Sequence, residues 1–389
     1  MPRFRNVRYR LYPNRTQAKQ MDNFLELCML AYNKEAEMCR RAFEADGRIL
    51  DSDSIHEYCE YVLKLEIPQL DLVFPDCLGD VALRVHRAFS RFQSLRSSGD
   101  HSAALPADKD LDRYCSFTYP RYKGDVRLIP GGRLWLHGIG NVKCVAHRPM
   151  EGAPFSCTVT KSLTGKWYAT IFLIQNDEGC QSERTRDAKP VGIDLGLNNL
   201  AAFSDGTFYD NKKQYDRMSS KMIKIQRKMA SYEIGSEEHT RYKRRLDHLF
   251  EHYNNQMKDD MHKRSTAIVG SYSMIALEDI DVKKMIGHYR THAGRRSQST
   301  AAWRTFVGMI EYKAEKAGVE VVFVNPRNTS QICSGCGFYV KKDLGVRVHE
   351  CPMCGLVIDR DVNAAKNILR IGLGMQASVT GNRNGRARV

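Results

Sequence analysis

The segment VRYRLYP alternates apolar and basic positions. Val7, Tyr9 and Leu11 share one face and Arg8 and Arg10 the other, the period of a strand with a basic outer side. Pro13 ends it. Thr16 is placed to cap a helix whose apolar stripe is Met21, Phe24, Leu25, Cys28 and Tyr32. Helical periodicity continues to about residue 95, with Arg84, Arg87, Arg91 and Arg96 on the last helix, and residues 97–110 read as a loop. From about 115 to 175 the pattern changes to short β-rich runs broken by Gly and Pro: RLWLHGIGNVKCVAHR, FSCTVTKSL and KWYATIFLI. These predict a small β-barrel that the first strand joins. Residues 175–190 are polar and aperiodic, a linker or boundary.

The rest of the chain has another rhythm. VGIDLGLNNLAAFSDGTFYD predicts an apolar strand, a turn and two more short strands. Residues 211–269 read as two long charged helices that meet near Gly235 and Ser236. SMIALEDI is a buried strand, apolar until its end. Residues 299–317 form an amphipathic helix through Trp303, Phe306, Ile310 and Ala314, and VEVVFVNP is a further strand. A cysteine-rich insert then precedes a last helix from about 361. Three strands followed by helices alternating with strands is the order of an RNase H-like α/β fold. No internal repeat is visible. The expected organisation is a β-barrel part (1–12 and 111–185), a helical part (13–110), an α/β part (186–330 and 356–372), a cysteine-rich insert (331–355) and a disordered polar tail (373–389).

Length and charge narrow this picture. A chain of 389 residues is too long for one compact core and suits two or three domains. Its 60 Lys+Arg against 45 Asp+Glu leave +15, which points to a polyanionic partner or, more plainly, to a basic surface. The start, MPRFRNVRYRLYPNR, lacks the apolar core of a secretory signal, and no apolar run reaches the roughly 18 residues of a membrane span. A cytoplasmic protein with no membrane partner is expected. Eight cysteines stand singly (Cys28, Cys39, Cys59, Cys77, Cys115, Cys144, Cys157 and Cys180) and read as small apolar residues.

Three acids stand out. Two apolar strands end on one each, Asp194 in VGIDLG and Glu278 in MIALEDI, and Asp361 opens the helix DVNAAKNIL. A buried ionised carboxylate costs several kcal/mol unless paired or metal-bound. Each also has a plainer reading: Asp194 capping a turn, Glu278 just beyond the sheet edge, Asp361 an ordinary acid in a first helical turn. Asp359 fits a cap as well as Asp361 does; Asp361 is preferred as ligand and Asp359 as cap or neighbour. Asp279 and Asp281 are expected to be exposed. If the three acids converge at about 4 Å, each pair repels by roughly 4 kcal/mol at an effective dielectric near 20. Two divalent cations offset that, and an oxygen-only set favours Mg²⁺ or Mn²⁺. The chemistry implied is in-line hydrolysis of a nucleic-acid backbone.

CSGCGFYVKKDLGVRVHECPMC supplies two CxxC pairs, Cys333 with Cys336 and Cys351 with Cys354. Their spacing is that of a tetrahedral Zn²⁺ ribbon, and four thiolates leave no open position, so the ion is structural. Binding contributes roughly 10–16 kcal/mol of local folding energy. Gly337 and Gly355 follow the pairs and permit tight turns. Small Ala364 and Ala365 allow the last helix to lie close to a sheet. The expected role of the ribbon is mechanical, pinning the approach to Asp361.

GIDLG, LED and CSxCG…CPxCG…DRDxNAAxNI together resemble the RuvC nuclease domain of the TnpB family, RNA-guided endonucleases of insertion-sequence transposons and relatives of type V CRISPR effectors. The likeness is specific from 190 to 370. It extends more loosely to VRYRLYPNRTQ, YPRYKG, GKWYATI and NPRNTSQICSGCG, and over 16–110 it is one of position and character. The resemblance implies catalytic, metal-holding roles for Asp194, Glu278 and Asp361. It also implies a wedge-type barrel and a helical recognition lobe, which hold a guide RNA and target double-stranded DNA, with sequence specificity from base pairing beside a short DNA motif. For nucleic-acid contacts the candidates are Arg3, Arg5, Arg8 and Arg10, and Arg290, Arg295 and Arg296 of GHYRTHAGRRSQST. The charged stretch YKRRLDHLFEHYNNQMKDDMHKR is either a phosphate-tracking face or a solvated one. Three other functions compete: a guided DNA-binding repressor with an idle nuclease, which the intact acids oppose; a strand-joining transposase, whose last helix usually bears Glu; and a protein-only resolvase.

Overall fold

The computed structural model describes residues 3–175, 188–196, 199–210, 213–279, 293–325, 327–343 and 345–384. Contacts divide the chain into two units, Met1–Glu178 and Gly179–Val389.

In the first unit, β1 (Arg3–Tyr12) runs into α1 (Arg15–Asp46), then α2 (Ser52–Tyr58), a π-helical turn (Cys59–Leu63) and α3 (Pro75–Ser97). Strands β2 (Ser116–Tyr119), β3 (Val126–Ile129), β4 (Arg133–Leu136), β5 (Gly140–Val145), β6 (Ala153–Lys161) and β7 (Trp167–Gln175) follow. They form a nearly closed antiparallel barrel in the order β2-β6-β7-β1-β5-β4-β3, so the first strand does join it. The alternation reads through to the packing: Val7, Tyr9 and Leu11 point inward, in register with Ile171, Ala169 and Trp167, which are buried too. Helices and barrel share one continuous core. Phe24 of α1 meets Phe117 of β2 at 5.9 Å, and Arg84 of α3 donates to Ser116 O and Thr118 Oγ1, both at 2.7 Å. The helix cap differs from expectation. Asn14, not Thr16, caps α1 through a reciprocal pair, Gln17 N–H to Asn14 Oδ1 at 2.8 Å and Asn14 N–H to Gln17 Oε1 at 3.1 Å. Asn14 is extended just after Pro13, so the helix starts earlier and Thr16 falls inside it. Six of the single cysteines are buried and Cys115 is partly so; Cys180 lies outside the described residues.

The second unit is built on β8 (Val191–Asp194), β9 (Asn199–Phe203), β10 (Phe208–Asp210), β11 (Met274–Glu278) and β12 (Glu320–Val324), in the order β10-β9-β8-β11-β12. β8, β11 and β12 are parallel, and the β8-β9-β10 meander is antiparallel. Between β10 and β11 stand α4 (Lys213–Met229) and α5 (Glu237–Ser271). Their turn is where the sequence put it: Gly235 takes φ 93°, and the Ser236 side chain accepts from His239 N–H. Helix α6 (Ala293–Ala317) precedes β12 and starts before the expected residue 299. One sheet face, with Ile193, Ile275 and Leu277, packs on Met261, Ile268, Trp303, Phe306 and Ile310. The other, with Met274, Ala276 and Val324, packs on Ile368 of α7 (Arg360–Asn384). A small hairpin, β13 (Val348–Glu350) with β14 (Val357–Asp359), leads into α7. The expected tail from 373 is helical to Asn384, and residues 385–389 lie outside the described residues. At Gly372 the helix lies close on the sheet: a Cβ there would be 2.8 Å from Ala276 Cβ. No helix among the described residues is long and apolar enough to cross a membrane.

Candidate active site and metal centre

Parallel pairing fixes the first two acids. Ile193 of β8 is in register with Leu277 of β11. The next residue on each strand is therefore an acid, Asp194 beside Glu278, at the carboxyl ends of adjacent parallel strands, where open α/β sheets place their ligands. Helix α7 supplies the third. It crosses β8 so closely that a Cβ on Gly192 would lie 2.1 Å from Ala365 O and 2.6 Å from Leu369 N. Only glycine fits there, and Ala364 and Ala365 are buried on the facing side. The docking lays Asp361 over the turn that follows Asp194: a Cβ on Gly196 would lie 4.0 Å from Asp361 Oδ2.

The three carboxyl groups feel this arrangement. Burial, then the Glu278 and Asp361 carboxylates, push Asp194 well above the ordinary aspartate range, with Arg360 pulling the other way. Burial raises Glu278, and a hydrogen bond from Thr329 Oγ1 to Glu278 Oε1 at 2.7 Å opposes the rise. Burial and then Asp359 raise Asp361, against Arg347, whose guanidinium lies 3.9 Å from Asp361 Oδ1, and Arg360. Such a set binds protons or cations in place of free negative charge. Its ligand atoms are all oxygen, which suits a hard divalent ion. Asp359 accepts from the N–H groups of Asp361 and Val362 at 2.8 and 3.2 Å, so it serves as the helix cap. Asp279 is exposed; Asp281 lies outside the described residues.

The four thiols are drawn together more tightly. Among the described residues, they are the group of three or more ligand-type side chains whose ligand atoms all lie within 4.8 Å of one another. The Cys333–Cys354 and Cys336–Cys351 sulfur pairs are 3.6 and 3.5 Å apart. Tetrahedral Zn²⁺ with bonds of about 2.3 Å has sulfur edges of about 3.8 Å, so the cluster fits that ion. Both knuckles have one design. Cys333 N–H donates to Phe338 O and Gly337 N–H to Cys333 O, and Cys351 N–H donates to Leu356 O and Gly355 N–H to Cys351 O, each at 2.9 Å. Gly337 and Gly355 take φ 81° and 71°, the left-handed region where a side chain is strained.

The basic candidates fare unevenly. Arg8 lies over the Tyr168 ring at 3.9 Å and Arg10 at 5.0 Å, on the outer barrel face. Arg5 is 3.9 Å from Glu151. The side chains of Arg3, Arg295 and Arg296, and the whole of Arg290, lie outside the described residues. Sequence reasoning passed over Thr329, Arg347 and Arg360. Only NPRNTSQ, already noted as a resemblance, contained a signal for Thr329.

Three family models match this chain: "Probable transposase" over residues 171–288, "Cas12f1-like, TNB domain" over 303–368 and "Helix-turn-helix domain" over 1–48. The last range is a strand and one long helix here. A Streptomyces pristinaespiralis protein named as a candidate RNA-guided DNA endonuclease is 28% identical over 397 residues, covering 97% of this chain and 92% of that one. InsQ of Escherichia coli strain K12, with the same description, is 26% identical over 387 residues, covering 96% and 93%. The TnpB-like protein L79 of Acanthamoeba polyphaga mimivirus is 38% identical over 123 residues, covering 31% of this chain and 23% of that protein. The chain is similar to proteins of the TnpB family. The TNB match begins in α6 and ends in α7, so it contains both cysteine pairs and Asp361. The transposase match ends after Glu278 and includes Asp194.

Proposed function

We propose that this protein is an RNA-guided DNA endonuclease that hydrolyses phosphodiester bonds with divalent cations held by Asp194, Glu278 and Asp361. The observation that carries the reading is the pairing of β8 with β11, which sets two acids side by side at one sheet edge. The names of the two relatives that match almost end to end support the guided activity. The second unit is read as an RNase H-like, RuvC-type nuclease with a zinc ribbon. The barrel and helices of the first unit are read as the wedge and recognition lobe that hold guide RNA and target DNA. The protein acts on DNA in the cytoplasm.

Asp194, Glu278 and Asp361 would hold Mg²⁺ or Mn²⁺, which would supply an activated water and charge neutralisation at the leaving oxygen. The chain's own groups prepare for that. Glu278 and Asp194 present oxygens from a rigid sheet edge, and Asp361 presents its own from the first turn of α7. Burial raises all three acids, so the folded site disfavours negative charge that no cation offsets. Arg8 and Arg10, stacked on Tyr168, offer guanidinium groups to a phosphate backbone.

The test is cleavage of a matched target by the full chain with its copurified RNA, wild type beside Asp194→Ala. Wild-type cleavage in Mg²⁺ and none from Asp194→Ala is expected, with RNA binding kept. Equal products from both sink the reading; RNA-dependent DNA binding without cleavage in either supports the idle repressor.

A further inference from the structure

Thr329 is 4% exposed, and its hydroxyl donates to Glu278. It does not hold itself in place. Its carbonyl accepts from Asn367 Nδ2 at 2.9 Å, and the same amide reaches Ile332 O at 2.7 Å. One turn earlier on α7, Asn363 donates from Nδ2 to Ile332 O at 2.8 Å and accepts from Ser334 N–H at 2.9 Å. Both asparagines are buried. The turn opens at Asn328, with φ 65°, whose carbonyl accepts from the N–H groups of Gln331 and Ile332. Cys333 comes directly after Ile332.

One buried polar strut therefore connects the first cysteine knuckle to Glu278. The helix that clamps the strut is the one that starts with Asp361. The amide nitrogens of Asn363 and Asn367, four residues apart on one helix, both donate to Ile332 O, and Asn367 also to Thr329 O, a specific clamp rather than packing. Metal-ligating carboxylates depend on such outer hydrogen bonds for orientation, and losing one typically costs 10–100-fold in metal affinity.

We propose that Thr329 is a positioning residue that holds the Glu278 carboxylate in the orientation a divalent cation requires, and that the cysteine knuckle fixes Thr329 through Asn363 and Asn367. The inference rests on the reading of Glu278 as a metal ligand. The zinc ribbon then keeps a distant ligand aimed as well as closing its own loop.

The experiment titrates Mn²⁺ into the full-length, zinc-loaded chain by calorimetry and measures the zinc content of each variant. Thr329→Val keeps the shape and loses the hydroxyl. Its Mn²⁺ Kd is expected to rise roughly 10–100-fold with zinc retained, while Thr329→Ser stays within about threefold of wild type. Asn367→Ala, which leaves Glu278 and all four thiols in place, moves Mn²⁺ affinity the same way. Glu278→Gln separates the two ideas. If it weakens Mn²⁺ binding while Thr329→Val binds like wild type, the positioning role is wrong and the metal-site reading stands. If Glu278→Gln itself binds Mn²⁺ like wild type, that reading falls and the inference with it. Should Thr329→Val fail to fold, Asn367→Ala decides: wild-type Mn²⁺ affinity in that variant overturns the clamp.

Discussion

Glu35 and Asp194 are both acids withdrawn from water, one in each unit, and burial pushes both well above the ordinary carboxylate range. Their surroundings differ. Glu35 lies in the helical core at 0% exposure, and among the described residues neither of its oxygens has a hydrogen-bond partner of good geometry. Only the Cys59 thiol, at the start of the π-helical turn, lies close enough to soften the shift. Asp194 is pushed further by two more acids that other elements bring to it. A lone buried acid settles its electrostatics by keeping a proton. Acids near enough to raise one another create a demand for positive charge that several protons meet poorly and a divalent ion meets well. Burial alone therefore does not mark a site; convergence from separate elements does.

The sharpest way to break that comparison is to neutralise one acid in each unit. Asp361→Asn should lower cleavage by about 10³-fold or more, as expected when one member of a group acting as a unit is lost. Glu35→Gln should leave cleavage near wild type. Asp359→Asn tests the cap assignment: an amide still accepts from the Asp361 and Val362 N–H groups, so cleavage should survive. A guided-cleavage time course under single-turnover conditions checks all three. Loss of activity in Glu35→Gln with an unchanged melting temperature would end the contrast.

The next effect is one of packing. Gly192→Ala puts a methyl group where Ala365 O lies 2.1 Å away. Backbone cannot step aside as a side-chain tip does, so α7 must shift. Overpacking of this kind costs about 1–3 kcal/mol. The second unit should melt earlier, and cleavage should fall further than the lost stability explains, because the same shift moves Asp361. Differential scanning calorimetry beside the cleavage assay separates these. Wild-type behaviour would mean α7 does not dock as described.

Much of this was legible from the residues, and the exceptions have physical causes. The period-2 faces of β1 and β7 and the stripe Trp303, Phe306, Ile310 and Ala314 were readable because side-chain burial imposes the pattern. The α1 start was misplaced by two residues because Asn14 and Thr16 both cap helices, and only the backbone after Pro13 distinguishes them. Asp194 and Glu278 showed in sequence as polar interruptions at the ends of apolar strands, and Asp361 as an acid in a first helical turn. What the sequence withheld was most of the specific contacts between distant segments. Thr329 is 51 residues from Glu278, and Gly192 looks like any strand glycine until α7 is laid across it. The shared core of helices and barrel was hidden for the same reason: periodicity marks a buried face without naming the surface that buries it.

The pH dependence of stability sharpens the comparison from the other side. Glu35 has a raised folded pKa, so its stabilising share is full below the ordinary glutamate value of 4.5 and is lost as pH rises through the raised value. In Glu35→Gln that decline should vanish. The variant should be more stable than wild type at pH 8, by about 2–4 °C for each kcal/mol recovered, and should lose this advantage toward pH 4. Thermal melts of the full chain across that range are the measurement. Parallel curves for the two proteins would show that Glu35 is not the buried proton carrier of the first unit.

The smallest effect concerns positive charge, where the same contrast between offset and unopposed groups recurs along one helix. Near its end, α5 pairs its cations with acids one turn away, Lys263 with Asp259 at 2.6 Å and Arg264 with Asp260 at 2.9 Å. Nearer its start, Arg245, His248 and His252 join Lys221 and Lys224 of α4 around a groove of 630 Å³, and among the described residues no acid lines it. A groove lined by cations suits a row of phosphates. Each phosphate contact contributes about −0.9 to the slope of log affinity against log salt on duplex DNA. Lys224→Ala with Arg245→Ala should therefore make the salt dependence of nucleic-acid binding shallower by up to about 1.8, with affinity at moderate salt falling only severalfold. Mn²⁺ affinity should not move, since neither residue belongs to the carboxylate set. An unchanged slope would return the hairpin to the plainer reading, a helix pair whose charges serve only solvation.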